Sequence, residues 1–275
     1  MPDPERATFD CVVVGGGPSG LTAALYLARF RRSVCVVANG QSRALLIPRV
    51  RNLPGWPEGI PGSSFLDLLA EQVAGYGVEK ILGTACAVHP AEGGFDVHTS
   101  RGLVSGRTVV IATGSRDVRP DISDHDAAVQ AGLLRYCPVC DGFEVAGKHV
   151  GLLVPADHAA DKEAFLRKFA DRLDVHVVGR STVRLERRGA GVAVVGNTTT
   201  WDTVYAALGT EPQSSLAAPC AIAVASSGCI IATAHQETTR PGLYAVGDVV
   251  EGLDQITVAM GQAALAASHI HATLG

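Results

Sequence analysis

Residues 9–20 read Phe9-Asp-Cys-Val-Val-Val-Gly-Gly-Gly-Pro-Ser-Gly20, an apolar stretch that runs directly into a glycine cluster. The apolar stretch predicts a buried strand of a parallel sheet. Residues 21–29 then carry apolar side chains at helical spacing, and residues 33–37 predict a second strand. The chain therefore opens with a β-α-β unit whose turn has the GxGxxG pattern.

The three glycines of this turn have separate roles in binding a dinucleotide. Gly15 permits the tight turn, and Gly17 lets the backbone approach a pyrophosphate. Gly20 allows the helix to pack closely on the strand, and the helix N-terminus attracts the phosphates. Because a strand precedes the glycines and a helix follows them, we predict dinucleotide binding rather than a plain turn.

The end of the second strand does not favour NAD. An acidic residue about 20 positions after the glycines typically binds the NAD ribose. Here the strand continues into Ala38-Asn-Gly-Gln41 instead. Asn39, Gln41 or Arg43 is the alternative contact to a ribose or an adenine.

Composition excludes several classes of protein. The chain has 275 residues and a formal net charge of −4, which gives no electrostatic basis for binding nucleic acid or anionic membranes. Its 47% hydrophobic content excludes disorder. The N-terminus lacks the pattern of a signal peptide, and we expect a cytoplasmic protein.

The seven cysteines are irregularly spaced, which argues against a structural disulfide framework. Cys11 and Cys35 fall in the middle of predicted strands, and we expect them to be core residues.

A second β-α-β unit is predicted at 149–178, from a strand at 149–154, a helix at 161–170 and a strand at 174–178. Other strands are predicted at 79–87, 95–99, 108–112, 191–195, 203–207 and 242–246, and other helices at 63–74 and 256–274. The fold class is α/β, with two Rossmann-like three-layer domains, the second inserted in the first. We place the first domain at 1–116 and 240–275, and the inserted, trimmed domain at 117–239.

Two thiols three residues apart form the second motif, Cys137-Pro-Val-Cys-Asp-Gly142. Such a pair can close a small disulfide, and Asp141 beside it can protonate a leaving thiolate. The alternatives are an inert pair or half of a zinc site. Zinc needs a second pair of ligands, and Cys220 and Cys229 are spaced too far apart to resemble one. We therefore expect a redox pair and no metal.

Gly247 and Asp248 follow a predicted strand and form the third motif. A carboxylate at a strand end can accept hydrogen bonds from a ribityl chain. The helix that begins at Ile256, after Gln255, can direct N–H groups at the pyrimidine end of a flavin. The alternative is that Asp248 only caps a turn.

Together these motifs resemble the low-molecular-weight thioredoxin reductase family, flavoproteins with two dinucleotide-binding folds. The likeness covers nearly the whole chain, in this order: GGGPSG at 15–20, Asn52-Leu-Pro-Gly55, Ala112-Thr-Gly114, CPVCDG at 137–142, and Gly247-Asp248 with Gln255. The resemblance implies that FAD is bound by these residues: Gly15, Gly17, Gly20, Asn52, Thr113, Gly114, Asp248 and Gln255. We expect six further residues to contribute to the same site, namely Pro18 and Ser19 in the glycine turn, Asn39 and Gln41 after the second strand, and Gly247 and Ile256.

The resemblance also implies roles for the cysteine motif. Cys137 and Cys140 are the redox pair, Cys140 faces the flavin, and Cys137 exchanges with the substrate. Asp141 is the acid/base. Members of the family are homodimers, and we expect a homodimer here.

The second β-α-β unit departs from the family pattern. Members that use NADPH have a second GxGxxA/G there, and a basic cluster after the next strand. Here residues 153–158 read Leu-Val-Pro-Ala-Asp-His, in which Pro155 removes a donor and Asp157 brings negative charge to the place of a pyrophosphate. The next strand ends at Gly179-Arg-Ser181 with a single arginine. We therefore expect that NADPH is not bound in the ordinary way.

Without a pyridine nucleotide, electrons need another route. We predict an FAD-dependent thiol/disulfide oxidoreductase that acts on a dithiol or disulfide, either a small molecule or a thioredoxin-like protein. One route passes electrons from a dithiol through FAD to O₂, as in dithiol oxidases, which often carry His where Asp141 stands. Another feeds FAD from ferredoxin or a flavoprotein. The alternatives are a conventional NADPH-dependent thioredoxin-disulfide reductase and, in another class, a flavin-containing redox sensor or regulatory protein.

Overall fold

The computed structural model describes residues 8–179 and 183–275. In chain order, its strands are β1 (Thr8–Val14), β2 (Val34–Ala38), β3 (Glu79–Leu82), β4 (Ala85–Ala91), β5 (Gly94–Thr99), β6 (Gly102–Ile111), β7 (Ser115–Asp117), β8 (Asp121–Ile122), β9 (Leu134–Arg135), β10 (His149–Pro155), β11 (Arg172–Val178), β12 (Arg184–Arg188), β13 (Gly191–Val194), β14 (Thr203–Ala206), β15 (Thr210–Pro212) and β16 (Leu243–Ala245). Its α-helices are α1 (Pro18–Arg29), α2 (Gly62–Ala74), α3 (His125–Gln130), α4 (Pro138–Asp141), α5 (Ala159–Leu166) and α6 (Ile256–Leu274). None of the helices in these ranges is long and apolar enough to cross a bilayer.

The chain forms two compact units, each assembled from separate segments. The first unit contains the residues up to Leu45 together with Ser63–Arg116 and Pro212–Gly275. The second contains Leu46–Gly62 and Asp117–Glu211. The chain therefore passes several times between a first unit that holds the glycine motif and a second that holds the cysteine motif.

A seven-stranded sheet forms the centre of the first unit. Its strand order is β3-β2-β1-β6-β5-β4, and β16 also pairs with β6. The pairs among β3, β2, β1, β6 and β16 are parallel, whereas β4 and β5 are antiparallel to their neighbours. The continuous burial of residues 11–14 matches their uninterrupted apolar sequence, as expected for a strand covered on both faces.

Cys11 and Cys35 lie in this sheet and are fully buried. Burial raises the pKa of each thiol to about 12, so both remain protonated at neutral pH. The prediction that they are core residues is confirmed. Helix α1, which begins with Pro18 at a position suited to proline, packs against α6.

A four-stranded parallel sheet forms the centre of the second unit, in the order β11-β10-β14-β9. A smaller three-stranded sheet has the order β13-β12-β8. Val150, Leu152 and Val154 are fully buried on β10, and α5 provides the connection from β10 to β11. This β-α-β arrangement confirms the predicted fold class of two Rossmann-like α/β domains.

The boundaries of some predicted elements differ in the structure. The single strand predicted at 79–87 is two strands, β3 and β4, and the strand predicted at 108–112 begins already at Gly102. The helix predicted at 161–170 is α5, which starts two residues earlier and ends at Leu166. Gly83 and Gly102 interrupt the apolar pattern, which made the limits of the strands at 79–87 and 108–112 hard to predict.

The compact units also differ from the predicted domain limits. Residues 212–239, which we assigned to the inserted domain, belong to the first unit. Leu216, Cys220 and Ile230 pack in its core, where Cys220 Sγ lies 3.2 Å from the carbonyl oxygen of Val88. Residues 46–62, which we assigned to the first domain, belong to the second unit.

Candidate active site

The cysteine motif lies on a short turn in the second unit. After β9, Cys137 precedes the one-turn helix α4, which begins at Pro138. Cys137 Sγ accepts a hydrogen bond from the backbone N–H of Cys140 at 3.2 Å. The two cysteines form a disulfide, with their Cα atoms 5.3 Å apart. The helical turn thus brings the i and i+3 thiols together, as the spacing predicts.

Asp141 is held by two side chains that come from the neighbouring sheet. Arg135 Nη1 donates to Asp141 Oδ2 at 2.5 Å, and the Tyr205 hydroxyl donates to Asp141 Oδ1 at 2.8 Å. The same hydroxyl lies 3.1 Å from the Asp141 carbonyl oxygen. Both carboxylate oxygens therefore accept a hydrogen bond, one of them from a cation.

The two donors occupy paired positions on adjacent parallel strands. Arg135 on β9 is the register partner of Tyr205 on β14. Arg135 is further held by Thr203, whose hydroxyl accepts from Arg135 Nε at 3.1 Å. Tyr205 is fully buried; burial raises the pKa of its hydroxyl, and the Asp141 charge raises it further. Tyr205 is therefore a neutral donor at physiological pH.

A cavity of about 280 Å³ lies beside the disulfide, within the second unit. It is lined by Arg51, Asn52, Pro138, Val139, Cys140, Gly142, Phe143, Glu144, Phe165 and Phe169. Arg51 Nε and Glu144 Oε1 form an ion pair at 3.4 Å on its wall. Phe143 leaves 81% of its surface exposed. The disulfide thus borders a space that is mainly aromatic and aliphatic.

The glycine motif of the first unit has the close backbone approaches that a dinucleotide fold requires. At Gly15 the φ angle is +123°, and a Cβ there would lie 2.2 Å from the Ala112 carbonyl oxygen. At Gly20 a Cβ would lie 2.0 Å from the Gly15 carbonyl oxygen. Gly17 is the N-cap of α1, and no side chain caps that helix. The first turn of α1 therefore presents backbone N–H groups suited to an anion.

Gly247, another predicted residue of the first unit, lies beside this helix start. A Cβ at Gly247 would lie 2.7 Å from Ser19 Oγ, so the Gly247-Asp248 turn adjoins α1. Asp248 Oδ2 accepts from Arg43 Nη1 at 3.0 Å. Thr113 donates to the Gln213 carbonyl oxygen at 2.7 Å.

The structure places the remaining predicted residues separately. Asn39 and Gln41 bond to each other, since Asn39 Oδ1 accepts from the Gln41 N–H at 3.0 Å. Gln255 is the N-cap of α6, and Ile256 begins it. Asn52 lies in the second compact unit, where it lines the cavity with Cys140.

The loop after β10 lacks the glycine geometry seen at residues 15–20. Pro155 ends the strand, a 3₁₀ turn covers Ala156–His158, and α5 begins at Ala159. Asp157 Oδ2 and His158 Nε2 lie 3.7 Å apart, and both side chains are largely exposed. The single arginine predicted near a 2′-phosphate, Arg180, and the adjacent Ser181 lie outside the described residues.

Comparison with known proteins identifies the family. The family model described as pyridine nucleotide-disulphide oxidoreductase matches residues 9–154 and 144–263. The chain belongs to this family. The resemblance to thioredoxin reductases is thereby confirmed: the chain is a flavin-dependent disulfide oxidoreductase of the thioredoxin reductase-like type.

Several relatives of this oxidoreductase family are similar over almost the whole chain. A thioredoxin reductase from Treponema pallidum is 25% identical and covers 94% of this chain and 95% of its own. A bifunctional thioredoxin reductase/thioredoxin from Mycobacterium leprae is 26% identical over 91% of this chain and 62% of its own. The solved thioredoxin reductase from Streptococcus pyogenes MGAS5005 has a TM-score of 0.87 at 27% identity and covers 98% and 99% of the two chains.

Sequence reasoning missed three residues around the oxidoreductase motifs. Arg135 and Tyr205 lie 70 residues apart in sequence, and Tyr205 in an apolar strand predicts a core residue. No pattern in the sequence links the two; the fold buries the Tyr205 hydroxyl and most of the Arg135 side chain, and both groups need hydrogen-bond partners. No sequence pattern indicates a role for Arg51, because only the fold places it beside Glu144.

Proposed function

We propose that this chain is an FAD-dependent thiol/disulfide oxidoreductase that oxidises a dithiol through the Cys137–Cys140 disulfide, with O₂ as the final acceptor. It does so without binding NADPH in the ordinary way. The conformation of the loop after β10 is the observation that supports this lack of ordinary NADPH binding. The location in the cytoplasm and the homodimer remain predictions.

The loop after β10 disfavours a pyrophosphate for three reasons. Pro155 has no N–H to donate, and its ring prevents the tight glycine turn. Asp157 places a carboxylate at the start of the following helix, where it repels a phosphate. No glycine occurs between β10 and α5, so the backbone cannot approach a phosphate closely.

The first unit, in contrast, fits a flavin dinucleotide. The turn leaves no room for a side chain at Gly15 or Gly20, and the uncapped start of α1 supplies N–H donors for the pyrophosphate. Asp248 would accept from a ribityl hydroxyl, and Arg43 beside it supplies positive charge. The other cofactor contacts are proposed from the sequence motifs: Pro18, Ser19, Asn39, Gln41, Asn52, Thr113, Gly114, Gly247, Gln255 and Ile256. Bound FAD would supply a two-electron acceptor for the dithiol.

The chemistry of the chain's own residues is thiol–disulfide exchange. A substrate thiolate attacks Cys137 Sγ, a bond forms between the two sulfurs, and the Cys137–Cys140 bond breaks. The second substrate thiolate attacks the substrate sulfur of this mixed disulfide and releases Cys137. The substrate leaves as a disulfide, and the cysteine pair has gained two electrons. The cavity beside Cys140 supplies an apolar place for the body of the substrate.

A second candidate is a reductase that receives its electrons from a donor protein and reduces a thioredoxin-like partner. The exposed Phe143 next to the disulfide favours it, because protein partners commonly bury such a side chain. The relative from Mycobacterium leprae that joins both activities in one chain also favours it.

Anaerobic reduction of the purified yellow protein tests the proposal. The absorbance near 450 nm is followed while NADPH, NADH and dithiothreitol are added to separate samples. We expect dithiothreitol to bleach the flavin and both nucleotides to leave it oxidised. Rapid bleaching by NADPH would make the conventional reductase the better description.

A matched pair of variants ties the bleaching to the disulfide. Cys137→Ser should slow bleaching by dithiothreitol at least about a hundredfold, because no disulfide remains to be attacked. Cys86→Ser replaces an exposed cysteine of the first unit and should have no effect. Equal bleaching of Cys137→Ser and the unaltered protein would exclude the thiol mechanism.

A further inference from the structure

Residues 47–62 form a closed loop within the second unit. The Gly62 N–H donates to the carbonyl oxygen of Ile47 at 3.0 Å, which closes the base of the loop. Val50 and Ile60 exchange two backbone hydrogen bonds, at 2.7 and 3.0 Å, and both side chains are buried. Because the loop is packed by its own residues, a contact at one position orients the others.

Arg51 and Asn52 are neighbours on this loop and connect it to the disulfide turn in different ways. Arg51 Nε lies 3.4 Å from Glu144 Oε1. Asn52 lines the same cavity as Cys140 and is one of the contacts proposed for FAD. The Arg51–Glu144 ion pair thus joins the loop that carries a proposed flavin contact to the element that follows the disulfide.

Glu144 is firmly connected to the disulfide. It lies four residues after Cys140, on the 3₁₀ helix that follows α4. Val145, the next residue, is fully buried in the core of the second unit. A Cβ at Gly142 would lie 3.3 Å from the Phe169 ring, so this helix packs closely on that side chain. A contact to the Glu144 carboxylate therefore also fixes the loop relative to the Cys140 sulfur.

Two separate ion pairs lie next to the disulfide in the described part of the second unit. Arg135 bonds to Asp141, and Arg51 pairs with Glu144. The Arg51 side chain is 46% exposed and the Glu144 side chain 24%, so salt screens their attraction and its energy is modest. A modest energy is enough to select one position of the loop when several positions have similar free energies.

We propose that Arg51 and Glu144 are positioning residues whose ion pair holds the loop at 47–62 against the disulfide turn. The pair thereby keeps the Cys140 sulfur in contact with the flavin that Asn52 helps to bind. The proposal rests on the function proposed above and deepens it. Electron transfer from a thiolate to a flavin depends on their contact, so loosening the loop slows this step.

The step that depends on this contact returns the cysteine pair to its disulfide. The Cys137 and Cys140 sulfurs lose two electrons and their protons, and the S–S bond forms again. Bound FAD takes up the two electrons, and the protons pass to FAD or to water. The preceding exchange with the dithiol takes place between sulfur atoms alone, so it does not depend on the loop.

The test measures the contact between the Cys140 thiolate and the flavin by spectroscopy. Cys137→Ser, the parent for this test, leaves Cys140 as the remaining thiol of the turn. A thiolate that touches oxidised flavin gives a long-wavelength charge-transfer absorbance. The purified flavoprotein is followed from pH 6 to pH 9, and the largest charge-transfer absorbance is divided by the flavin absorbance near 450 nm.

We expect Glu144→Gln, added to the parent, to lower this ratio about threefold, in keeping with the energy of a half-exposed ion pair. Arg51→Gln should have the same effect. Exchanging the charges, with Arg51→Glu and Glu144→Arg together, should restore most of the ratio. Raising NaCl from about 0.05 M to about 1 M should lower the ratio in the parent and leave Glu144→Gln unchanged, because salt screens the ion pair.

A second readout follows the disulfide instead of the flavin. Protein with both cysteines is mixed anaerobically with dithiothreitol, quenched with acid, alkylated and digested with trypsin. Cys137 and Cys140 are the only cysteines in the tryptic peptide 136–148. Glu144→Gln should gain alkylation of this peptide at the rate of the unaltered protein, while its flavin bleaches about threefold more slowly.

Arg184→Gln is the matched control, because Arg184 forms an exposed ion pair with Asp121 at 3.1 Å in the same unit, and it should leave both readouts unchanged. Glu144 lies outside the loop, so its variant tests the pair even if Arg51→Gln binds less flavin. An unchanged charge-transfer ratio in Glu144→Gln, or a parent ratio that salt does not alter, would overturn the proposal for this pair only. If the parent binds flavin and shows no charge-transfer absorbance at any pH, the proposed function itself fails.

Discussion

At the scale of single residues, Asp174 shows how one partly buried carboxylate couples the stability of the second unit to pH. Its Oδ2 accepts from Trp201 Nε1 at 2.9 Å and lies 2.7 Å from His149 Nε2. Burial by itself raises the pKa of Asp174. The hydrogen bonds from Trp201 and His149, together with the charges of His149 and Arg172, outweigh burial and lower this pKa below its ordinary value of 3.8.

A lowered folded-state pKa stabilises the fold above the unfolded pKa, and that stabilisation is lost as pH falls through the folded value. Asp174→Asn should therefore lower the free energy of unfolding by about 1 kcal/mol at pH 7, a modest value because the side chain is a third exposed. The difference from the unaltered protein should vanish between pH 4 and the folded-state pKa.

Urea titrations followed by tryptophan fluorescence from pH 7 down to pH 3 measure this difference. Asp157→Asn, at a largely exposed position of the same unit, serves as the control and should change stability by less than about 0.5 kcal/mol. A deficit in Asp174→Asn that stays constant over the whole range would contradict the assigned pKa shift.

At the scale of elements, the turn from β1 into α1 depends on close backbone packing that only glycine permits. Gly20→Ala would place a Cβ 2.0 Å from the Gly15 carbonyl oxygen, so the helix has to move away from the strand. We expect a loss of stability of about 3 kcal/mol and a large loss of bound flavin. Differential scanning calorimetry and the flavin-to-protein absorbance ratio measure the two effects.

A second glycine of the same unit provides the matched control. Gly261 lies inside α6, and a Cβ there would meet nothing within 4 Å. Gly261→Ala should therefore raise stability by about 0.5–1 kcal/mol, because alanine is the better helix former, and should leave the flavin content unchanged. Equal flavin content in both variants would show that the turn does not hold the cofactor.

Individual elements also show how much of the structure could be predicted from the sequence. Long periodic segments such as α6 and apolar strands such as β1 were predicted almost to the residue, because their pattern is local. The pairing of Cys137 with Cys140 follows from one helical turn and was equally readable. The hydrogen bonds of Asp141 could not be predicted from the sequence, because they depend on the register between β9, a strand of two residues, and β14. Only the folded sheet shows that a tyrosine in an apolar strand donates to a carboxylate.

At the scale of the whole molecule, the direction of electron flow distinguishes an oxidase from a reductase. Under the proposed function, a dithiol would reduce bound FAD, and no nucleotide would bind at the loop after β10. The electrons would then have to leave to an acceptor other than a nucleotide. If that acceptor is O₂, each dithiol loses two electrons and two protons, and one H₂O₂ forms for each disulfide. The net reaction balances with no further reactant.

This balance gives a quantitative prediction for turnover in air. With dithiothreitol as substrate, an oxygen electrode and a peroxide assay should give one O₂ consumed and one H₂O₂ formed for each disulfide produced. Catalase should halve the net O₂ uptake, because it returns half of the oxygen from the peroxide. Cys140→Ser should lower the rate at least about a hundredfold, since the disulfide cannot be regenerated. A protein that dithiothreitol bleaches but that then consumes no O₂ would have to pass its electrons to another acceptor, and the reductase would become the better description.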